Sequence, residues 1–221
     1  MKTTWIEALP DLGLAFGETA WMVGWSFVLT VLLGTLAGVA LRLTAPDGLT
    51  PNRWFYGIFG AVVNLARSLP FLILMIALLS FTRFVVGTAY GPTAAIVPLT
   101  VGAIPFFARV VEAALREVAP GKLEAAQVMG ASTRQIVTKV LLPESLPGLI
   151  AGATLTLVTL IGYSTMAGAI GGGGVGDFAI RYGYQRFNTP VLLMAVVVLI
   201  VLVQVIQSLG DAVVRSLNHR R

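Results

Sequence analysis

Five stretches of this chain stay apolar for the length of a bilayer crossing, and that feature constrains everything else. A hydrocarbon core about 30 Å thick is crossed by about 20 mostly apolar helical residues. Residues 19–41, 92–108, 148–170 and 190–209 carry no charge, and residues 57–82 carry only Arg67. Charged residues make up 11% of the 221, against about 25% in a soluble domain. A water-facing globule would need more, so lipid is the solvent. The short third stretch is expected to continue as helix beyond the membrane, because Arg109, Glu112 and Arg116 recur at i, i+3 and i+7 and form a paired stripe. The first stretch exceeds the apolar core of a cleaved signal and follows acidic Glu7, Asp11 and Glu18, so it reads as a permanent span. The fold class is an all-α integral membrane protein with five transmembrane helices.

The chain has no cysteine and one histidine, His219. Disulfide scaffolds, thiolate chemistry, histidine triads and multi-histidine metal sites are thereby excluded within one chain. A net charge of +5 suggests nucleic acid only if it is gathered in a patch, and here it is spread between apolar segments. No nucleic-acid partner is expected. The positive-inside rule uses these charges better. With the C-terminus in the cytoplasm, Arg42, Arg53, Arg109, Arg116, Lys122, Arg134, Lys139, Arg215, Arg220 and Arg221 fall inside, and only Lys2, Arg83, Arg181 and Arg186 outside. The expected topology has a periplasmic N-terminal segment (1–16), a membrane domain (17–210) and a cytoplasmic tail (211–221), with residues 117–147 forming a cytoplasmic loop.

The punctuation of that loop is readable. Pro120 opens a short helix, where its missing N–H costs nothing, and Gly130 ends it in a left-handed conformation. Ser132 and Gln135 form a capping-box pattern that starts a second helix, which Pro143 is expected to stop. Two short helices with a glycine corner then lie along the inner face of the membrane. Ala126 and Gly130, four apart, offer small side chains to an approaching surface, and Glu124 suits the helix N-terminus. On these features alone, an ordinary amphipathic surface loop remains an equal reading.

The full string separates the two. Glu124-Ala125-Ala126, Gly130, Val140 and Leu142-Pro143 at this spacing resemble the EAA signature of ABC importer permeases, with valine in place of the signature's isoleucine. The resemblance implies that Glu124, Ala125, Ala126 and Gly130 contact a cytoplasmic ATPase through a coupling helix, with Pro143 structural. The stretches beginning at Arg67 (RSLPFLILMIALLSFTRFVVGT), Ala95 (AIVPLTVGAIPF) and Gly162 (GYSTMAGAIGGGGVG) further resemble the permease subunits of bacterial methionine importers. That resemblance implies the type I ABC importer permease fold in the bacterial inner membrane. Its implied assembly is two copies of the chain, a dimer of ATPase subunits that hold ATP and Mg, and a periplasmic substrate-binding lipoprotein. No cofactor is expected on the chain itself, and it is not expected to be an enzyme.

Other features admit two readings each. The run Gly171-Gly-Gly-Gly-Val-Gly-Asp-Phe lacks the Gly-Lys-Ser/Thr of a phosphate loop and reads as a flexible periplasmic turn. Thr156, Thr159, Tyr163 and Met166 share one face of the fourth span. Tyr163, Ser164 and Met166 are candidate pathway or gate residues, against a role for the threonines and Met166 in helix packing. Arg67 marks a hinge or cavity, or it snorkels to the interface because its helix starts later. Phe178, Tyr182, Tyr184 and Phe187 form an interfacial belt or a docking surface for the binding protein. Two alternatives to a methionine importer stand: a relative carrying another amino acid or small solute, and an ion-coupled transporter or channel with no ATPase. The second calls for embedded carboxylates, and none lies in the five stretches.

Overall fold

The computed structural model describes residues 7–218; His219, Lys2 and the final arginines lie outside them. In chain order the helices are α1 (Leu9–Thr44), α2 (Arg53–Ser68), α3 (Phe71–Ala77), α4 (Leu79–Val86), α5 (Pro92–Arg116), α6 (Pro120–Val128), α7 (Thr133–Ile136), α8 (Leu142–Ala169), α9 (Gly174–Phe178) and α10 (Thr189–Asn218). A π-helical turn, Val137–Leu141, joins α7 to α8, and a second, Ala179–Tyr184, follows α9. Four helical stretches are long and apolar enough to cross a bilayer. A fifth crossing exists only if α2 and α3 count as one bent pair.

That pair breaks the second stretch, residues 57–82, at Ser68 and Pro70. Ser68 turns its hydroxyl back to Leu65 O at 2.7 Å, and Pro70 sits extended at φ −58°, ψ 129° ahead of α3. Proline disfavours a helical residue before it, so Leu69 drops out of the helix. Arg67 is also placed differently from its snorkelling account. Its helix starts at Arg53, and Arg67 lies in the last turn, where the dipole favours a cation. Its guanidinium lies 5.9 Å from the Phe106 ring centroid.

The residues form two compact units. The first comprises residues 7–29, 69–102 and 157–208. Its core joins Ala8, Leu12 and Ala15 of the early chain to Val175, Phe178, Val191 and Ala195. Helix α1 therefore begins well before the apolar stretch that announced it. At about 1.5 Å per residue its 36 residues span about 54 Å, longer than a bilayer core.

The glycine-rich turn of this unit is pinned rather than flexible. Gly173 and Gly174 have φ of 76° and 81°, which only glycine adopts without strain. The freed amides find side-chain acceptors on α1: Gly174 N–H donates to the Glu18 carboxylate at 2.7 Å and Val175 N–H to Thr19 Oγ1 at 2.9 Å.

The second unit comprises residues 30–68, 103–156 and 209–218. Its centre is α5. Phe107, Val111, Leu115 and Val118 pack with Ala126, Ile136 and Leu141, while Ala108 joins Leu41 and Val63. Helix α1 approaches α5 at Gly34 and Gly38, where a Cβ on Gly38 would stand 2.5 Å from Ala108 O. Helix α8 does the same at Gly148 and Gly152, against Ala114 and Val110. Both pairs have the small-xxx-small spacing that lets membrane helices pack backbone to backbone.

Candidate functional site

The loop between α5 and α8 is built as its punctuation predicts at both ends of α6. Pro120 occupies the first turn. At the other end Gly130 adopts φ 77°; its N–H donates to Gln127 O at 2.9 Å and Ala131 N–H to Ala126 O at 3.0 Å. These two bonds make a Schellman close, which satisfies carbonyls that a helix end leaves free. The capping box of α7 is complete: Ser132 Oγ accepts from Gln135 N–H, and the Gln135 side chain accepts from Ser132 N–H.

Pro143 does not stop the helix, contrary to the sequence expectation. The chain runs from α7 through the π-helical turn into α8, with Pro143 in the first turn of α8. Leu142 N–H bonds five residues back to Val137 O. Leu142 itself keeps regular helical angles, φ −64° and ψ −47°, and the wider π turn leaves room for the Pro143 ring, which has no N–H to donate. The loop thus stands directly on the long helix α8, with no free hinge between them.

Of the residues singled out in the loop, Glu124, Ala125 and Gly130 are exposed, while Ala126 is 4% exposed and belongs to the packed core of its own unit. Ala126 seats α6 on the chain rather than facing outward. The outward apolar surface comes instead from Val128 and Met129, 89% and 80% exposed. A sequence reading centred on the small residues misses both. The signal was available in the order Gln127-Val128-Met129-Gly130, since apolar residues just before a glycine close have no later turn to cover them. Near the start of α6, Lys122 Nζ reaches Glu144 of α8 at 2.6 Å. Two links therefore fix α6: a core contact at Ala126 and an ion pair at Lys122.

The candidate pathway residues do not gather at one point. Tyr163 stacks on Phe71 with centroids 4.2 Å apart and planes within 2°, inside the first unit. Met166, one turn on, is 48% exposed. Ser164 is buried, and its hydroxyl donates to Ile161 O at 2.7 Å. Thr156 bonds Gly152 O of its own helix at 2.8 Å, back-bonding of the kind that satisfies a hydroxyl in an apolar setting. Phe71, unmarked in the sequence among so many apolar neighbours, is the aromatic partner that the stripe lacked.

Among the first unit's aromatics, Phe178 stacks on Tyr182 at 5.1 Å, and Arg186 lies 4.5 Å from the Tyr182 ring centroid. Arg181 pairs with Asp177, and that hydrogen bond holds its guanidinium above the usual arginine range. Among the described residues no three His, Cys, Asp or Glu side chains form a metal-holding group.

Comparison with known proteins converges on one class. The family model "Binding-protein-dependent transport system inner membrane component" matches residues 30–220. A Vibrio cholerae protein named "Probable D-methionine transport system permease protein MetI" is 52% identical over 217 residues, 98% of this chain and 96% of that protein. A Bacillus subtilis "Methionine import system permease protein MetP" is 49% identical over 180 residues, 81% of each. Among solved structures, an inward-facing form of the MetNI methionine ABC transporter aligns with a TM-score of 0.92 at 48% identity, covering 93% of this chain and 95% of its counterpart. An amino acid ABC transporter at 15% identity and TM-score 0.79 shares the fold. The family model over most of the chain and the near-full-length relatives agree: the chain belongs to the binding-protein-dependent transport system inner membrane components, a multi-pass membrane family.

Proposed function

We propose that the chain is the permease subunit of an ATP-driven methionine importer that works by alternating access. Near-complete collinearity with methionine permeases, at about half identity, carries this reading. In it, two copies of the chain form the translocation path. A dimer of separate ATPase subunits binds ATP and Mg, and a periplasmic lipoprotein delivers the substrate. The chain itself performs no covalent chemistry.

In this reading α6 is the coupling helix. Glu124, Ala125 and Gly130 meet the ATPase together with Val128 and Met129, while Ala126 holds the helix on the permease. Rigid attachment at Ala126 and Lys122 turns a domain movement into displacement of α5 and α8. Tyr163 and Met166, with Phe71 behind Tyr163, are the pathway or gate residues; Ser164 supports them by filling the opposite side of the helix. ATP binding shifts the population from inward to outward opening. Residues 1–16 lie in the periplasm, 17–210 form the membrane domain, 117–147 the cytoplasmic loop and 211–221 a cytoplasmic tail, as the distribution of basic residues supports.

The test is uptake of labelled methionine by proteoliposomes holding the permease, its ATPase and the binding protein. Uptake should require ATP hydrolysis and be competed by unlabelled methionine. Uptake without nucleotide, or competition by another amino acid alone, overturns the reading.

A further inference from the structure

Between α2 and α5, within the second unit, lies an ionic cluster that neither the coupling helix nor the pathway uses. Glu112 is 4% exposed, yet its carboxylate is fully engaged. Oε1 accepts from the Tyr56 hydroxyl at 2.9 Å and from Arg116 Nη2 at 3.1 Å, and Oε2 from Arg109 Nη1 at 2.6 Å. Arg109 continues across to α2, donating through Nη2 to Gly60 O at 2.9 Å. Gly60 permits this approach, since a Cβ there would stand 3.1 Å from Nη2. Tyr56 and Gly60 are one turn apart on α2, so α5 grips a single face of it at two heights.

Such a cluster is a poor source of stability. Desolvating buried charges offsets much of their attraction, and Arg109 Nε remains buried without a partner. What the cluster supplies is direction, because charge-assisted bonds fix distance and angle where the apolar contacts of Leu41, Val63 and Ala108 beside them allow sliding. Both ion pairs lie within α5. Among the described residues, the Tyr56 hydroxyl and the Gly60 carbonyl are the polar groups that tie this group to α2.

We infer that this cluster is a clamp that makes α2 move with α5 during the transport cycle, with Glu112 as the positioning residue at its centre. The inference rests on the coupling role given to α6. Helix α5 leads into α6 through residues 117–119 and packs on Ala126, so force arriving at α6 reaches α5 first. The clamp then hands it to α2.

The experiment uses the complete transporter in proteoliposomes. Tyr56→Phe removes the hydroxyl link, and Gly60→Leu, whose Cβ alone would stand 3.1 Å from Arg109 Nη2, crowds the guanidinium off the Gly60 carbonyl; the charges on α5 stay paired. Losing two charge-assisted bonds shifts the clamped population by roughly tenfold or more, so uptake per ATP hydrolysed should fall about tenfold. Membrane insertion, capture of the ATPase and basal hydrolysis should persist. The chain contains no cysteine, which allows spin labels at Trp54→Cys and Ala113→Cys, both exposed. With the clamp intact, the label distance should be the same in nucleotide-free and nucleotide-trapped states; in the double variant it should differ or broaden. Unchanged uptake per ATP in the double variant, or a state-dependent distance with the clamp intact, overturns the inference. Gly130→Val is the control: if it leaves coupled uptake normal, the coupling role of α6 fails, and the label distances still report on the clamp.

Discussion

The loop between α5 and α8 and the glycine-rich segment follow the same local plan but are held by different means. Each has a glycine turn, a very short helix, a π-helical turn and then a long helix: Gly130, α7, Val137–Leu141 and α8 in one, Gly171–Gly174, α9, Ala179–Tyr184 and α10 in the other. The glycine-rich segment covers Val175 and Phe178 almost fully while Tyr184 stays exposed, and it ties the amides of Gly174 and Val175 to Glu18 and Thr19. The loop between α5 and α8 tucks Ala126 away and leaves Val128 and Met129 in the open. Similar backbone devices therefore accompany a tied joint in one place and an exposed apolar surface in the other. Side-chain burial, not the turn, tells them apart.

The sharpest way to break this comparison is at the glycines. Gly174→Val combines a positive φ with a Cβ that would stand 2.6 Å from Thr19 Oγ1. It should lower the yield of folded protein severely, through strain of about 1–3 kcal/mol plus overpacking of similar size, read as recovery after size-exclusion chromatography. Gly130→Val carries the φ penalty, but a Cβ there meets open space. The protein should insert and purify, while ATP-coupled uptake falls at least tenfold because the Schellman close re-forms poorly. Equal loss of folded protein in the two variants would remove the distinction between joint and contact surface.

Next in size is Thr19→Val, which strips the acceptor from the Val175 amide and leaves it buried and unpaired. A cost of about 1–3 kcal/mol is expected as a lower detergent-state Tm. Met129→Asp should change that Tm little, since an exposed substitution stays within about 0.5 kcal/mol, yet it should weaken ATPase capture markedly. A Tm drop in Met129→Asp matching that of Thr19→Val would show that Met129 is structural. Smallest is Glu18→Gln, which keeps an acceptor for Gly174 N–H but loses its charge assistance, a difference of about 1 kcal/mol at most.

What was legible in the sequence was local. Pro120, Gly130, Ser132 and Gln135 act through bonds to neighbours a few residues away, so their roles could be read from spacing. The stripe of Arg109, Glu112 and Arg116 was equally plain, but not its partner Tyr56, because nothing in a linear string says which tyrosine faces a carboxylate more than fifty residues on. Pro143 was misread because a one-residue widening into a π turn rescues a helix that the local rule ends. The glycine-rich turn was read as flexible for a related reason: its acceptors, Glu18 and Thr19, lie far back in the chain. Gly34 with Gly38, and Gly148 with Gly152, did carry a readable small-xxx-small pattern. The long apolar runs hid it.

The break at Leu69 and Pro70 has a consequence for where the second crossing sits. The first amides of any helix lack partners inside it, and α3 begins without a side-chain cap. In hydrocarbon each such group costs several kcal/mol. The amides of Phe71 and Leu72 must therefore be hydrated or covered by protein, which makes this interruption a point where the bilayer's dry interior gives way.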